Sequence, residues 1–392
     1  MKRSAPVSSR RNFMNDPSPH RPLAAPLWVT RPVLPPLEDY IEHLREVWDS
    51  GTITNLGAKH GELEALLSAR IGVGHLTLWN NGTSALVGML SQFDLTGEVI
   101  VTPFTFPATV HAIAAIGLEP VFADIDEKNL TLSPDSVRRM VTSRTTAILG
   151  THIYGRSCDT DGLSSVAQDH GLTVLYDGAH SFGIKQPVFS DSPSALGDAT
   201  MLSFHATKLF HTVEGGAIVT PHESVDARLR AARNFGIIGE DKVSGIGLNG
   251  KMSELHAAMG LLMLDRLDHE IDLRTVVAER YGQRLSGHPG LTVIAGLDAS
   301  KQYFVVRIDR DRFGESRDDL HARLRSYNVM SRRYFYPLCA DIDDYAALPS
   351  SQDLPAARRA SDEVLALPFF GGLDLDVVDM VCDLILEGPG RG

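Results

Sequence analysis

Cysteine is scarce: the 392 residues contain only Cys158, Cys339 and Cys382. No two of them have metal-ligand or redox spacing, which removes a disulfide framework and a zinc-ribbon type of site. Sparse, unpaired thiols suit a reducing compartment, so a cytoplasmic location is expected. Positive charge is also in deficit, with 37 Lys+Arg against 49 Asp+Glu and a net charge of −12. That disfavours a general nucleic-acid binder, which carries a basic face, although a few cations in one pocket could still attract an anionic small molecule. No apolar run reaches the roughly 18–20 residues that span a bilayer, so no membrane partner is expected. The N-terminal stretch has no apolar core of the signal-peptide kind, and Pro17, Pro19, Pro22 and Pro26 interrupt any amphipathic transit helix. Residues 1–26 therefore read as a flexible tail. Internal repeats are absent, and no low-complexity block occurs beyond that tail.

Short strand-like runs alternating with helical patterns fill the rest. Apolar residues recur at helical spacing in His60–Ile71, a strand is expected at His75–Trp79, and a helix at Ser84–Gln92. Further strands are expected at Glu98–Thr102, Glu119–Ala123, Thr146–His152, Thr173–Asp177, Ala199–Phe204 and Ala217–Thr220, with helices at Thr109–Gly117, Pro134–Val141 and Ser164–His170. This alternation is the pattern of an α/β fold with a mainly parallel sheet covered on both faces. A long helical pattern over Ser253–Leu285, with or without a break, leads into strands at Leu291–Ala295 and Tyr303–Ile308 and helices at Arg317–Tyr327 and Ala356–Leu365. The reading is a large domain over residues 27–270 and a small α+β domain over residues 271–392.

Three segments carry chemistry-bearing residues. In Ser203-Phe204-His205-Ala206-Thr207-Lys208, followed by Glu214-Gly215-Gly216, a lysine stands just beyond a strand end. Partial desolvation there would lower its pKa and make it a nucleophile. Taken alone, a surface lysine in a loop is the commoner explanation. In Leu175-Tyr176-Asp177-Gly178-Ala179-His180 an apolar run ends on Asp177, placing a carboxylate at the carboxyl edge of a sheet, where a helix cap is the ordinary alternative. In Asn80-Asn81-Gly82-Thr83-Ser84-Ala85-Leu86 a strand, a glycine turn and a helix start converge free N–H groups and hydroxyls, an arrangement that binds phosphate, though Ser and Thr there also serve as plain caps.

Together these segments resemble the DegT/DnrJ/StrS family of sugar aminotransferases. The likeness runs from about Thr52 to Leu338 and includes Thr102-Pro103-Phe104-Thr105-Phe106, His152-Ile153-Tyr154-Gly155 and Asn249-Gly250-Lys251-Met252-Ser253-Glu254 in the same order. It implies the aspartate-aminotransferase (type I) fold, a large domain with a mixed, mainly parallel seven-stranded sheet and a small C-terminal α+β domain. The implied cofactor is pyridoxal 5′-phosphate (PLP), with Lys208 as its Schiff-base lysine and proton shuttle, Asp177 as partner of the pyridine nitrogen and His180 stacked on the ring. Gly82, Thr83, Ser84, Phe106 and Ser203 would contact the cofactor, as would Asn249, whose family counterpart reaches into a neighbouring subunit's site and so implies a homodimer. Asn55, Arg332 and Tyr334 are the implied substrate contacts. Cys339 follows Pro337-Leu338 where family members often have His, which puts one such contact in doubt. A same-fold dehydratase would carry His in place of Lys208, and a metal site built from His152, His180 and His205 has no ligand spacing to support it.

The implied activity is a two-stage, ping-pong transfer from L-glutamate to a nucleotide-linked 4-keto-6-deoxy sugar. Thr52-Ile53-Thr54-Asn55-Leu56-Gly57 and the Ser-Phe-His-Ala-Thr-Lys form look most like members that make dTDP-4-amino-4,6-dideoxyglucose. Amination at C3, a GDP- or UDP-linked sugar, and a non-catalytic sensor of the same fold remain the alternatives.

Overall fold

The computed structural model describes residues 20–183, 195–297 and 301–388. Most of the expected flexible tail, residues 1–19, lies outside them. Seven strands form the main sheet: β1 (Leu76–Trp79), β2 (Glu98–Val101), β3 (Glu119–Phe122), β4 (Thr145–Thr151), β5 (Thr173–Asp177), β6 (Ala199–Ser203) and β7 (Gly216–Val219). Their order across the sheet is β1-β7-β6-β5-β4-β2-β3. Pairing is parallel from β6 through β3, and β7 alone runs antiparallel to both its neighbours. Strands buried on both faces have near-continuous apolar sequences, as in β2 (Glu-Val-Ile-Val), which explains why these runs stood out in the sequence. The sheet and its helical crossovers agree with the expected type I aminotransferase architecture.

One apolar cluster, with Val99, Val101, Leu149, Leu175 and Met201, covers one side of the sheet, and two clusters share the other. On that shared side Leu63, Leu67, Phe204, Phe210, Ala257 and Leu261 pack together, bringing the helix Ala58–Ile71 against the first half of the long helix Glu254–Leu285. This long helix is continuous, with no break, and its second half (Val277, Tyr281, Leu285) leaves the sheet to pack under the C-terminal strands β8 (Leu291–Ala295), β9 (Phe304–Ile308) and β10 (Val364–Leu367). Those three strands are antiparallel in the order β8-β9-β10.

Two local expectations need correction. Val364 and Leu365 are in β10 and not in a helix; the helix is Pro355–Glu363, and Val364 pairs with Arg307. Their apolar character continues the helical pattern in sequence, but edge pairing on β9 supplies the hydrogen bonds that a further helical turn would otherwise need. Second, the described end of the expected flexible tail, residues 20–26, is tied to the fold, as are the two residues after it. Leu23 donates its N–H to Tyr327 O at 3.1 Å, and Leu27–Trp28 pairs in parallel with Val329–Met330. The prolines that forbid helix are compatible with this extended docking. Among the described residues no helix is long and apolar enough to cross a membrane.

Candidate active site

Parallel strands end together along one edge of the sheet, and the cleft lies there, as expected for α/β folds. It has a volume of about 600 Å³ and is lined by Gly82, Thr83, Phe106, Asp177, His180, Ser203, Lys208 and Tyr334, eight of the residues singled out in the sequence.

Asp177 is the last residue of β5 and is buried. Its Oδ2 accepts from Thr109 Oγ1 at 2.6 Å and its Oδ1 from the Ala179 N–H at 2.9 Å. Thr109 belongs to a hydroxyl chain: Thr105 Oγ1 lies 2.9 Å from it and accepts from Thr151 Oγ1 at 3.2 Å. Burial pushes the Asp177 carboxyl above its ordinary value, against the opposing pull of the Thr109 and Ala179 hydrogen bonds and the Lys208 charge. Gly178, next to it, has no room for a side chain, since a Cβ would stand 2.9 Å from Met201 O on β6.

Lys208 sits on a tight turn just past β6. Its N–H donates to His205 O at 2.8 Å, and the turn is anchored by buried Phe204 and Phe210, whose rings meet edge to face 4.9 Å apart. Desolvation in the cleft lowers the Lys208 pKa to about 8, against the opposing influence of Asp177. Its Nζ lies 5.9 Å from the centre of the Tyr303 ring.

His180 is buried, and burial, aided by the Lys208 charge, drives its pKa well below the ordinary value. Its Nδ1 accepts from the Tyr154 N–H at 3.2 Å, so the neutral ring carries its proton on the other nitrogen. Parallel packing on Phe335 (6.2 Å, 5°) and an edge contact with Tyr303 (5.1 Å, 89°) fix its plane.

The helix Gly82–Leu90 points its N-terminus into the cleft. Asn81 caps it by accepting from the Ser84 N–H at 2.8 Å, which leaves the Gly82 and Thr83 N–H groups facing the space. A Cβ on Gly82 would stand 3.2 Å from Ser203 Cβ and 3.3 Å from its Oγ. Open N–H donors, two hydroxyls and a glycine kept bare by close approach make a cradle that fits a phosphate. A half-buried lysine and a buried carboxylate beside that cradle complete a donor set suited to PLP.

The other residues expected in the site are placed differently. Ser84 turns away from the cleft, its Oγ donating to Asn80 Oδ1 and, at 3.0 Å, to Asn81 O, so its side chain braces the turn before the helix. Asn55 and Asn249 are exposed on this single chain, Asn55 with φ 66° and Asn249 accepting on its carbonyl from Asn80 Nδ2 at 3.1 Å. Arg332 is exposed outside the cleft wall, its backbone N–H donating to Ala366 O at 3.0 Å. Cys339 is buried, its Sγ 3.3 Å from Thr105 O and its pKa pushed up to about 12 by burial, so it is a packing residue beneath the cleft. Thr105, Thr109, Thr151, Tyr303 and Phe335 were not foreseen as parts of the site. Thr105 and Thr109 stand four residues apart around the Pro107 helix start, a spacing that could have flagged two hydroxyls on one face.

Comparison with known proteins agrees with this geometry. A Shigella dysenteriae protein, dTDP-4-amino-4,6-dideoxy-D-glucose transaminase, is 40% identical over 367 residues, covering 92% of this chain and 99% of that protein. The crystal structure of DesI in the presence of its TDP-sugar product superposes with a TM-score of 0.88 at 37% identity, covering 94% of each chain. NtdA from Bacillus subtilis, solved with bound cofactor PMP, superposes with a TM-score of 0.80 at 25% identity, over 90% of this chain and 81% of that one. With residues 37–386 matching the family as a whole, the chain belongs to the DegT/DnrJ/EryC1/StrS aminotransferase family.

Proposed function

We propose that this enzyme transfers an amino group from L-glutamate to dTDP-4-keto-6-deoxyglucose, giving dTDP-4-amino-4,6-dideoxyglucose. The carrying observation is Lys208, desolvated to a pKa of about 8 in the same cleft as buried Asp177 and the Gly82–Thr83 phosphate cradle. The sugar assignment rests on the likeness to the dTDP-4-amino-4,6-dideoxy-D-glucose transaminase from Shigella.

PLP, the cofactor of this family, supplies an electron sink that stabilises negative charge on the amino-bearing carbon. The chain supplies the rest. Lys208 offers an amine that is partly neutral near pH 7, able to bond covalently and then to carry a proton between neighbouring carbons. Asp177, locked by Thr109 and the Ala179 N–H, would hold a proton on the ring nitrogen. His180, Tyr303 and Phe335 form an aromatic wall that orients a flat ring and excludes water. Gly82, Thr83 and Ser203 would hold the phosphate with Phe106, exposed at the rim, beside the cofactor, and Tyr334 would meet the sugar nucleotide along with Asn55 and Arg332.

A homodimer with shared sites completes the proposal. Its support is an exposed apolar segment leading to Asn249: Phe235, Ile237, Ile238, Val243 and Ile246 lie on and around the hairpin Ile237–Gly239/Lys242–Val243. A cytoplasmic location is consistent with three free, buried cysteines.

The test is a coupled assay with glutamate and a panel of dTDP-, UDP- and GDP-linked 4-keto sugars, with the product amine located by NMR. Turnover of dTDP-4-keto-6-deoxyglucose with the amine at C4 is expected. If no keto sugar in the panel is aminated, the substrate assignment is wrong.

A further inference from the structure

Gln302 belongs to the C-terminal unit, just before β9, yet its side chain reaches the loop that carries Lys208. Its Oε1 accepts from the Leu209 N–H at 2.7 Å, and its Nε2 donates to the Thr207 carbonyl at 3.2 Å. The two partners are the residues directly before and after Lys208 in the chain. One planar amide therefore grips the backbone on both sides of the lysine, using its acceptor and its donor at a fixed separation. Gln302 is only 3% exposed, so water cannot take over either bond.

The grip is itself anchored. The carbonyl of Lys301 accepts from Arg274 Nη1 at 3.0 Å, and Arg274 Nε is paired with Glu270 at 2.6 Å in the buried stretch of the long helix. Glu270 Oε1 also accepts from the Gly371 N–H at 3.0 Å. On the other side of Gln302, Tyr303 is the ring that faces Lys208 Nζ. The segment 301–303 is thus held by the helix that joins the two units and delivers both an amide and a ring to the lysine.

We infer that Gln302 is a positioning residue for Lys208, a strut from the C-terminal unit that fixes where the lysine amine stands in the cleft. The inference rests on the reading of Lys208 as the cofactor-binding lysine. The lysine's four-methylene side chain is flexible, so the placement of its amine depends on the backbone from which it starts. A displacement of about 1 Å in a reacting group lowers a rate by roughly a hundredfold.

The experiment uses PLP-free full-length protein. PLP is added, the growth of the visible band of the lysine adduct is followed across pH, and the adduct is trapped with borohydride and mapped by peptide mass analysis. In the wild type the trapped adduct should map to Lys208; mapping to another residue overturns that reading and the strut with it. With the adduct on Lys208, Gln302→Leu should form it about ten- to a hundredfold more slowly and with a displaced pH midpoint. Gln302→Glu keeps an acceptor for the Leu209 N–H but sets an oxygen against the Thr207 carbonyl. It should be intermediate, and it carries the test if the Leu variant does not fold. A wild-type rate and midpoint in the Leu variant, or in the Glu variant where the Leu variant does not fold, overturns the proposal. So does a lowered melting temperature with unaltered adduct kinetics, which marks a purely structural amide.

Discussion

Lys208 should behave unlike any surface lysine when its reactivity is measured against pH. Desolvation moves its pKa from 10.5 to about 8 even with Asp177 nearby. At pH 7 an ordinary lysine is about 0.03% neutral, whereas a group of pKa about 8 is about 9% neutral, a roughly 300-fold gain in available nucleophile. The adduct-forming rate of PLP-free protein with added PLP should therefore climb with pH through a midpoint near pH 8 and level off above it. Asp177→Asn removes a carboxylate that stabilises the ammonium form, so its plateau should be reached at lower pH. Stability gives an independent reading with the same sign. The folded pKa lies below the unfolded value, so charged Lys208 opposes folding below about pH 8, and this penalty vanishes as pH rises through 10.5. Lys208→Met should accordingly stabilise the PLP-free protein at pH 7 by up to about 3 kcal/mol, with the gain fading above pH 8. A reactivity midpoint near 10.5, or an upward move in Asp177→Asn, would refute the desolvation argument.

Three further substitutions probe the surroundings. Gly82→Ala would fill the cradle against Ser203 and should weaken PLP binding at least tenfold, about 1.4 kcal/mol, with little change in the melting temperature of PLP-free protein; an unchanged affinity in a fluorescence titration counts against the cradle. Thr109→Val deletes the 2.6 Å bond to Asp177 and should cost about 1.5–3 kcal/mol at pH 7 in chemical denaturation. Because the Asp177 pKa is already raised, charged Asp177 opposes folding at neutral pH, and the extra loss in the variant should fade as pH falls through the folded-state pKa; a pH-independent loss would contradict this. Burial pushes Glu64 up, but the His60 ring 3.5 Å away and the Arg233 and Arg230 guanidinium groups outweigh it and hold the carboxyl well below the usual range. Glu64→Gln strands buried Arg233 and should cost about 3–5 kcal/mol, with the wild-type advantage present above the ordinary carboxylate range and shrinking as pH falls below it; a loss under about 1 kcal/mol would mean the network is solvent-screened.

The residues legible in the sequence are those whose signal is local. Asp177 ends an apolar run, Lys208 follows another, and Gly82 sits between a strand and a helix; in each case the chain's own periodicity places the residue at or just past a strand's carboxyl end. A hydroxyl that braces a helix start and one that binds phosphate have the same local sequence, so only the tertiary structure shows the direction of Ser84 Oγ, toward Asn81 O. Val364 and Leu365 were assigned to a helix because the partner that makes them a strand, β9, lies more than fifty residues away in sequence.

By itself the sequence determined the alternation of elements, the sheet's buried strands and the three segments that meet at its carboxyl edge, because burial on two faces and turn chemistry act over a few neighbouring residues. The tertiary structure alone decided what surrounds them. Thr109 reaches Asp177 across 68 positions, Gln302 grips the Lys208 loop across 93, and Leu27 pairs with Val329. Desolvation is likewise a property of the assembled cleft: the same Lys208 in an open chain would titrate near 10.5, and only the surrounding walls bring it to about 8.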